Sequence, residues 1–333
     1  MPYEPPFKIT SKAINLISQI SEKIGEIRNL EEHLHSVQLR KENRIKTIHS
    51  SLAIENNSLS IEQITAIVDG KKVFGPPNEI REVKNAIQAY DLLLNLNPYE
   101  EKDLLKAHTL MMDDLVNRSG KYRKGGVGIF DGHDVVHIAP PADRVPVLMA
   151  DLFEWLKVSD AHPLIKSCVF HYEFEFIHPF EDGNGRMGRL WQTVILKEWK
   201  TVFAWLPIET LIKERQNEYY QALALSDARS DSTDFIEFML SVILHTIDTI
   251  VDNQAKITQK ISVKVTLNQK KIIREIEKNP YITQAELAEA VGIARLNIIK
   301  NMKKLQEQNI IKRIGADKNG YWQIADGVSS IIY

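Results

Sequence analysis

The stretch FIHPFEDGNGRMGRLW, Phe176 to Trp191, is a polar island between two apolar stripes. Ile165, Cys168, Val169, Tyr172 and Phe176 recur at helical spacing on the way in, and Leu190, Trp191 and Val194 start a second stripe on the way out. The pattern predicts two helices joined by a loop that carries the polar residues. The tetrapeptide FEFI, 174–177, also alternates as a strand would, so periodicity leaves the entering element less defined than the leaving one.

The loop has the composition of a phosphate site. Gly183 and Gly185 permit backbone conformations that a side chain forbids, so successive amides around Asn184 can converge on an anion at the start of the following helix. Arg186 and Arg189, one turn apart on that helix, can clamp phosphate oxygens through charge-assisted bonds. Asp182 offers a carboxylate beside the cradle, where a hard cation such as Mg²⁺ would bridge it to phosphate. His178 is the one group of the set that exchanges a proton near neutral pH.

The rest of the chain bounds the setting. Its 333 residues exceed what one core usually holds, which predicts one large domain and a small one. No apolar run reaches the ~18 residues of a membrane span, and MPYEPPFKIT has no signal-peptide pattern, so a soluble, cytoplasmic protein is expected. The single cysteine, Cys168, lies in the apolar run LIKSCVF and reads as a small buried hydrophobe. Sparse Gly and Pro predict a mainly helical chain, with helices over 79–95, 99–115, 145–156, 164–177, 187–199, 211–226 and 234–259. Ile45, Ile48, Leu52 and Leu59 mark an earlier helical face, and SIEQITAIVDG is a short helix capped by Ser60 and Gln63 and stopped at Gly70. The stretch 127–141, VGIFDGHDVVHIAPP, is the exception and predicts a β-hairpin turning at Asp131-Gly132.

Charge is uneven along the chain. Residues 256–318 hold 14 Lys or Arg and 6 Asp or Glu, a local +8 in a chain of net charge −2. This region reads as three helices, the second started by the box Thr283/Glu286 and stopped at Gly292, followed by two strands around Lys318-Asn319-Gly320. The order resembles the winged helix-turn-helix family over about 266–324.

At all nine fixed positions, His178 to Arg189 also resembles the Fic family signature His-Pro-Phe-x-Asp/Glu-Gly-Asn-Gly-Arg-x-x-Arg. The resemblance implies a mainly α fold: a Fic-type helical bundle with a β-hairpin flap, plus a small C-terminal winged helix-turn-helix domain. Its expected divisions are an N-terminal helical region at 1–75, a catalytic domain at 76–250, a linker at 251–265 and the winged helix at 266–333. It implies transfer of AMP from ATP, with Mg²⁺, to a Ser, Thr or Tyr hydroxyl of a target protein. His178 would be the general base, Asp182 the metal ligand, Gly183, Asn184 and Gly185 with Arg186 the phosphate anchor, and Met187, Gly188 and Arg189 further nucleotide-binding positions. GKYRKGGVGI, from Gly120, is similar to the family's segment before the flap, and the flap at 127–141 would dock the protein substrate by strand addition. Tyr219 and His137 stand where nucleotide contacts are expected. SLAIEN, with Ser51, Glu55 and Asn56, resembles the family's inhibitory pattern, in which the glutamate pairs with the second arginine, here Arg189. Removal of AMP, transfer of another phosphate-containing group, and a DNA-binding regulator with a nucleotide-sensing body stay open as alternatives. So do DNA or protein contact through the winged helix and a homodimer.

Overall fold

The computed structural model describes residues 3–27, 37–126, 128–131, 134–262, 265–315 and 320–324; within these, 26–27, 37, 128–131, 134–138 and 253–262 are described by backbone alone. Contacts divide the chain into two units, Met1–Ile247 and Asp248–Tyr333.

The larger unit is built on two helices that pack along one another, α7 (Pro163–Ile177) and α8 (Asn184–Trp199). Pro163 at the first helical turn and the His162 ring, whose Nδ1 accepts from Leu164 N at 3.2 Å, start α7. Nearly every residue of α7 is buried, acids included. That settles the ambiguity of FEFI: in a helix buried all round, alternation of polar and apolar residues reports no face. Glu173 is covered by the N-terminal segment, where the Tyr3 hydroxyl donates to its Oε2 at 2.6 Å, and burial pushes its carboxyl up to about 7.

This unit also holds α1 (Ser11–Ile27), α2 (Val37–Ile54), α3 (Ile61–Val68), α4 (Pro77–Asp91), α5 (Glu101–Met111), α6 (Val145–Val158), α9 (Ile208–Glu214), α10 (Gln216–Arg229) and, as far as Ile247, α11 (Thr233–Ser262), with short 3₁₀ turns at Leu93–Asn95 and Thr201–Trp205. The hairpin is present as β1 (Gly128–Asp131) and β2 (Asp134–Ile138), antiparallel with Ile129 opposite His137. Gly132 of its expected turn lies outside the described residues.

Four sequence expectations shift. Helix α2 ends at Ile54, so Leu59 is buried but beyond it. Helix α5 stops at Met111, and Asp114 follows with φ 55. The single helix expected over 211–226 is two, broken where Arg215 takes φ −109 and ψ 33, at neither Gly nor Pro. The expected linker 251–265 is helical as far as Ser262, because the run from Thr233 to Ser262 holds no Gly or Pro.

The smaller unit holds α12 (Leu267–Lys278), α13 (Gln284–Val291) and α14 (Arg295–Glu307), then β3 (Ile311–Ile314) paired antiparallel with β4 (Tyr321–Ile324). Capping boxes start α12 and α13, and Gly292 ends α13 at φ 74. Ile272, Ile276, Leu287, Ile298 and Leu305 form its core, with Trp322 packed against it. Lys318 and Asn319 of the expected turn lie outside the described residues.

Candidate active site

Helix α7 ends on His178, which takes the left-handed conformation at φ 50 and ψ 61. A non-glycine residue holds such a conformation only where its surroundings fix it. Here the backbone of the following loop is held at nearly every polar group. The carbonyls of Ile177 and His178 accept from the Arg123 side chain at 3.2 and 2.7 Å, and that of Pro179 from the Arg123 amide at 2.9 Å. The Asn184 side chain returns to Phe180, accepting from its N–H at 2.9 Å and donating to its carbonyl at 3.0 Å. The carbonyl of Asp182 faces His108 Nε2 at 3.0 Å.

His108 is fixed from both sides. Gly120 N donates to its Nδ1 at 2.8 Å, so the proton sits on Nε2 and is donated to Asp182. Burial drives its pKa down to about 4, which keeps the ring neutral. The same ring stacks on Phe180 at 3.6 Å, beneath the loop. His171, fully buried, bonds Gln192 and Tyr219 and is driven by burial down to about 3. Of these three histidines His178 alone is half-exposed, which leaves it as the group able to take a proton from an incoming ligand.

Helix α8 opens on Gly183 at φ 82, whose N–H is taken by Asp182 Oδ1 at 2.6 Å. A Cβ there would meet Met112 Sδ at 2.6 Å, a second reason for glycine. The amides of Asn184, Gly185 and Arg186 follow as the first helical positions, with no side-chain cap on the helix. Such an end attracts anions. Arg186, buried, reaches Asp182 at 3.1 Å and Glu82 at 3.5 Å, while its Nε and Nη1 have no hydrogen-bond partner among the described residues. Buried donors of this kind are costly unless a ligand completes them.

The second arginine is engaged at Nε and Nη2. Arg189 Nη2 donates to Glu55 Oε1 at 2.7 Å and to the Ser51 carbonyl at 3.0 Å, and Nε to Ser51 Oγ at 3.2 Å. Burial alone would lower this guanidinium, but Glu55 beside it holds it above its ordinary value. Glu55 is the first residue beyond α2. The bonds Asn57 N to Leu52 O and Asn56 N to Ala53 O close the helix, with Asn56 left-handed at φ 67. A carboxylate at a helix C-terminus is unfavourable by itself, so Arg189 offsets that charge. The carboxylate also lies over the first turn of α8: a Cβ on Gly185 would meet Glu55 Oε1 at 2.5 Å.

Some expected residues stand elsewhere. Tyr219 is 2% exposed and packs among Phe235, Phe238 and His171, so it belongs to the core; the neighbouring Tyr220 is 47% exposed. Met187 is fully buried, and Gly188 faces inward, where a Cβ would meet Glu175 Oε1 at 2.6 Å. These two serve packing. Asn184 contributes its side chain to the loop and leaves only its amide for a ligand. The His137 side chain lies outside the described residues. Cys168 is buried, and burial pushes its thiol up to about 12, as expected of a packing residue. Sequence reasoning missed His108 and assigned no role to Arg123, although the segment holding Arg123 stood out.

Comparison with known proteins identifies the family of each part of the chain. The Fic/DOC family matches residues 96–196, and a winged helix-turn-helix DNA-binding family matches residues 266–312. A solved structure of a Fic family protein from Desulfovibrio desulfuricans G20 is 45% identical, with a TM-score of 0.76 over 97% of this chain and 98% of that one. Fic-1 from C. elegans, residues 134–508, shares the fold at 21% identity and a TM-score of 0.56, over 73% of this chain and 75% of that one. Protein adenylyltransferase Fic of Aedes aegypti is 26% identical over 77% of this chain and 52% of its own length; that of Culex quinquefasciatus is 29% identical over 62% and 42%. The chain thus spans about half the length of the curated relatives it matches.

Proposed function

The chain belongs to the Fic family, and from that membership we propose that it is a protein adenylyltransferase restrained by Glu55. It transfers AMP from ATP to a Ser, Thr or Tyr hydroxyl of a target protein. The hydroxyl oxygen bonds to the α-phosphorus, the bond from that phosphorus to the β-phosphate bridge breaks, pyrophosphate leaves, and the hydroxyl proton passes to His178. The observation that carries this reading is the pairing of an uncapped helix start, Asn184 to Arg186, with a buried Arg186 that has donors to spare. Those groups suit the charge that spreads over the phosphoryl oxygens in the transition state.

Asp182 fits a magnesium site of the kind that takes one carboxylate and completes its shell with substrate phosphates and water. Its side chain is 60% exposed at the mouth of the cradle, and among the described residues no cluster of three metal-binding side chains offers an alternative. Mg²⁺ bound there would neutralise phosphate charge. The flap at 127–141 would present the target segment as an added strand.

The domain reading keeps 76–250 as the catalytic body and 266–333 as a docking module. The winged helix match favours DNA as a second partner, tested by salt-dependent retention of the full chain on DNA. No helix among the described residues is long and apolar enough to cross a membrane.

The test of the main reading supplies Glu55→Gly protein with ATP labelled at the α- or at the γ-phosphate. Retention of the α-label alone on protein, with loss of about 10²- to 10⁴-fold in His178→Ala, supports it. Retention of the γ-label would replace it with phosphoryl transfer.

A further inference from the structure

Arg123 is 2% exposed and bonds only carbonyl oxygens. Two of them, Ile177 and His178, end helix α7 on the catalytic side. The other two, Gly125 at 2.9 Å and Pro140 at 2.5 Å, stand at the two roots of the hairpin. Its own N–H adds the Pro179 carbonyl at 2.9 Å. No carboxylate within ion-pair distance balances it among the described residues, and burial pulls its pKa down. A buried cation without a counter-charge is expensive, so the geometry it enforces must repay the cost.

What it enforces is visible in the residues it joins. The carbonyls at a helix C-terminus carry partial negative charge and lack intrahelical donors, so a guanidinium fork there acts as a cap. The capped residue is His178, in its left-handed conformation. The same plane of donors grips the hairpin at both ends. A lysine could satisfy the charge but not four carbonyls in a fixed fork.

We propose that Arg123 is a positioning residue that locks the backbone of His178 to both roots of the hairpin, so that the base and the strand edge presenting the acceptor hydroxyl keep one fixed spacing. This rests on the adenylyltransferase reading for its catalytic consequence. The chemistry depends on such spacing, since a misplacement of about 1 Å can cost about 100-fold in rate. Arg123 touches neither nucleotide cradle nor Arg186, so nucleotide binding should not depend on it.

The experiment uses full-length Glu55→Gly protein carrying Arg123→Lys or Arg123→Met. Two quantities are read: kcat and the KM for ATP in α-label transfer, and the Cε1–Hε1 NMR signal of His178 in protein with ¹³C-labelled histidine, assigned by its loss in His178→Ala. The expected result is a kcat lower by about 10- to 100-fold per folded molecule, with KM for ATP within about twofold. The His178 signal should be shifted or broadened, more in Met than in Lys. If Arg123→Met does not fold, Arg123→Lys carries the test alone. An unchanged kcat with an unchanged His178 signal overturns the proposal, as does a lowered melting temperature with kcat per folded molecule intact. If the Glu55→Gly parent transfers no AMP, the adenylyltransferase reading fails instead, and the His178 signal still decides whether Arg123 positions that residue.

Discussion

Arg186 and Arg189 stand one turn apart on the same buried helix, yet their states differ. Arg186 meets two carboxylates at 3.1 and 3.5 Å and keeps Nε and Nη1 without hydrogen-bond partners among the described residues. Arg189 is bonded to Ser51 at two atoms and to Glu55 at 2.7 Å. Beyond the two carboxylates it meets, the first keeps donors for an incoming anion; the second has Nε and Nη2 taken up by Ser51 and Glu55. Two like side chains can thus be given opposite roles by what the sequence delivers to them from 134 residues away.

Removing the available arginine breaks the comparison most severely. Arg186→Ala in a Glu55→Gly background should lower α-label transfer by about 10³-fold, through lost stabilisation of phosphoryl charge, read as kcat/KM. A smaller effect should follow at the loop beneath. Asn184→Ala deletes both bonds to Phe180 and leaves a buried N–H and carbonyl unmet, so unfolding in urea should show a loss of about 2 to 4 kcal/mol. Retained stability there would mean that the loop has other means of closing.

The smallest effect concerns pH. The folded-state pKa of His108, about 4, lies below its ordinary 6.5. The unfolded chain therefore binds the extra proton first, and stability is lost as pH falls below 6.5 towards 4. By pH 5 the wild type should have lost about 2 kcal/mol relative to His108→Asn, whose amide oxygen can still accept from Gly120. Parallel melting temperatures for the two proteins between pH 7 and pH 5 would remove His108 as the cause.

What could be read beforehand was local. His178, Asp182, Gly183, Gly185, Arg186 and Arg189 fall within twelve residues, so one short loop and the helical spacing of Arg186 and Arg189 keep them near one another. Ser51 and Glu55 could be paired with each other by a spacing of four, but their meeting with Arg189 came from a family resemblance, because no rule of spacing spans that distance. His108 and Arg123 reach the loop across 74 and 55 residues; a lone histidine in a helical chain carries no local mark, and the segment around Arg123 stood out without showing what the arginine would meet. Tyr219 is buried, while its neighbour Tyr220 is exposed. Neighbours on a helix differ by about 100° in direction, and the break at Arg215 resets the phase of α10, so the sequence could not tell Tyr219 from Tyr220. The hairpin of the larger unit and the Thr283/Glu286 capping box of the smaller one were legible because each is specified by residues within a few positions of it.

The central claim, that Glu55 silences this enzyme by occupying Arg189, is tested most directly by a double-mutant cycle in α-labelled ATP. Wild type, Glu55→Gly, Arg189→Ala and the double variant are compared for label retained on protein under identical conditions. The account predicts a gain of about 10- to 100-fold in Glu55→Gly, no gain in Arg189→Ala, and a return to near the wild-type level in the double variant, since the freed arginine is what the first change makes available. Equal labelling by wild type and Glu55→Gly, or a double variant as active as Glu55→Gly, would contradict it.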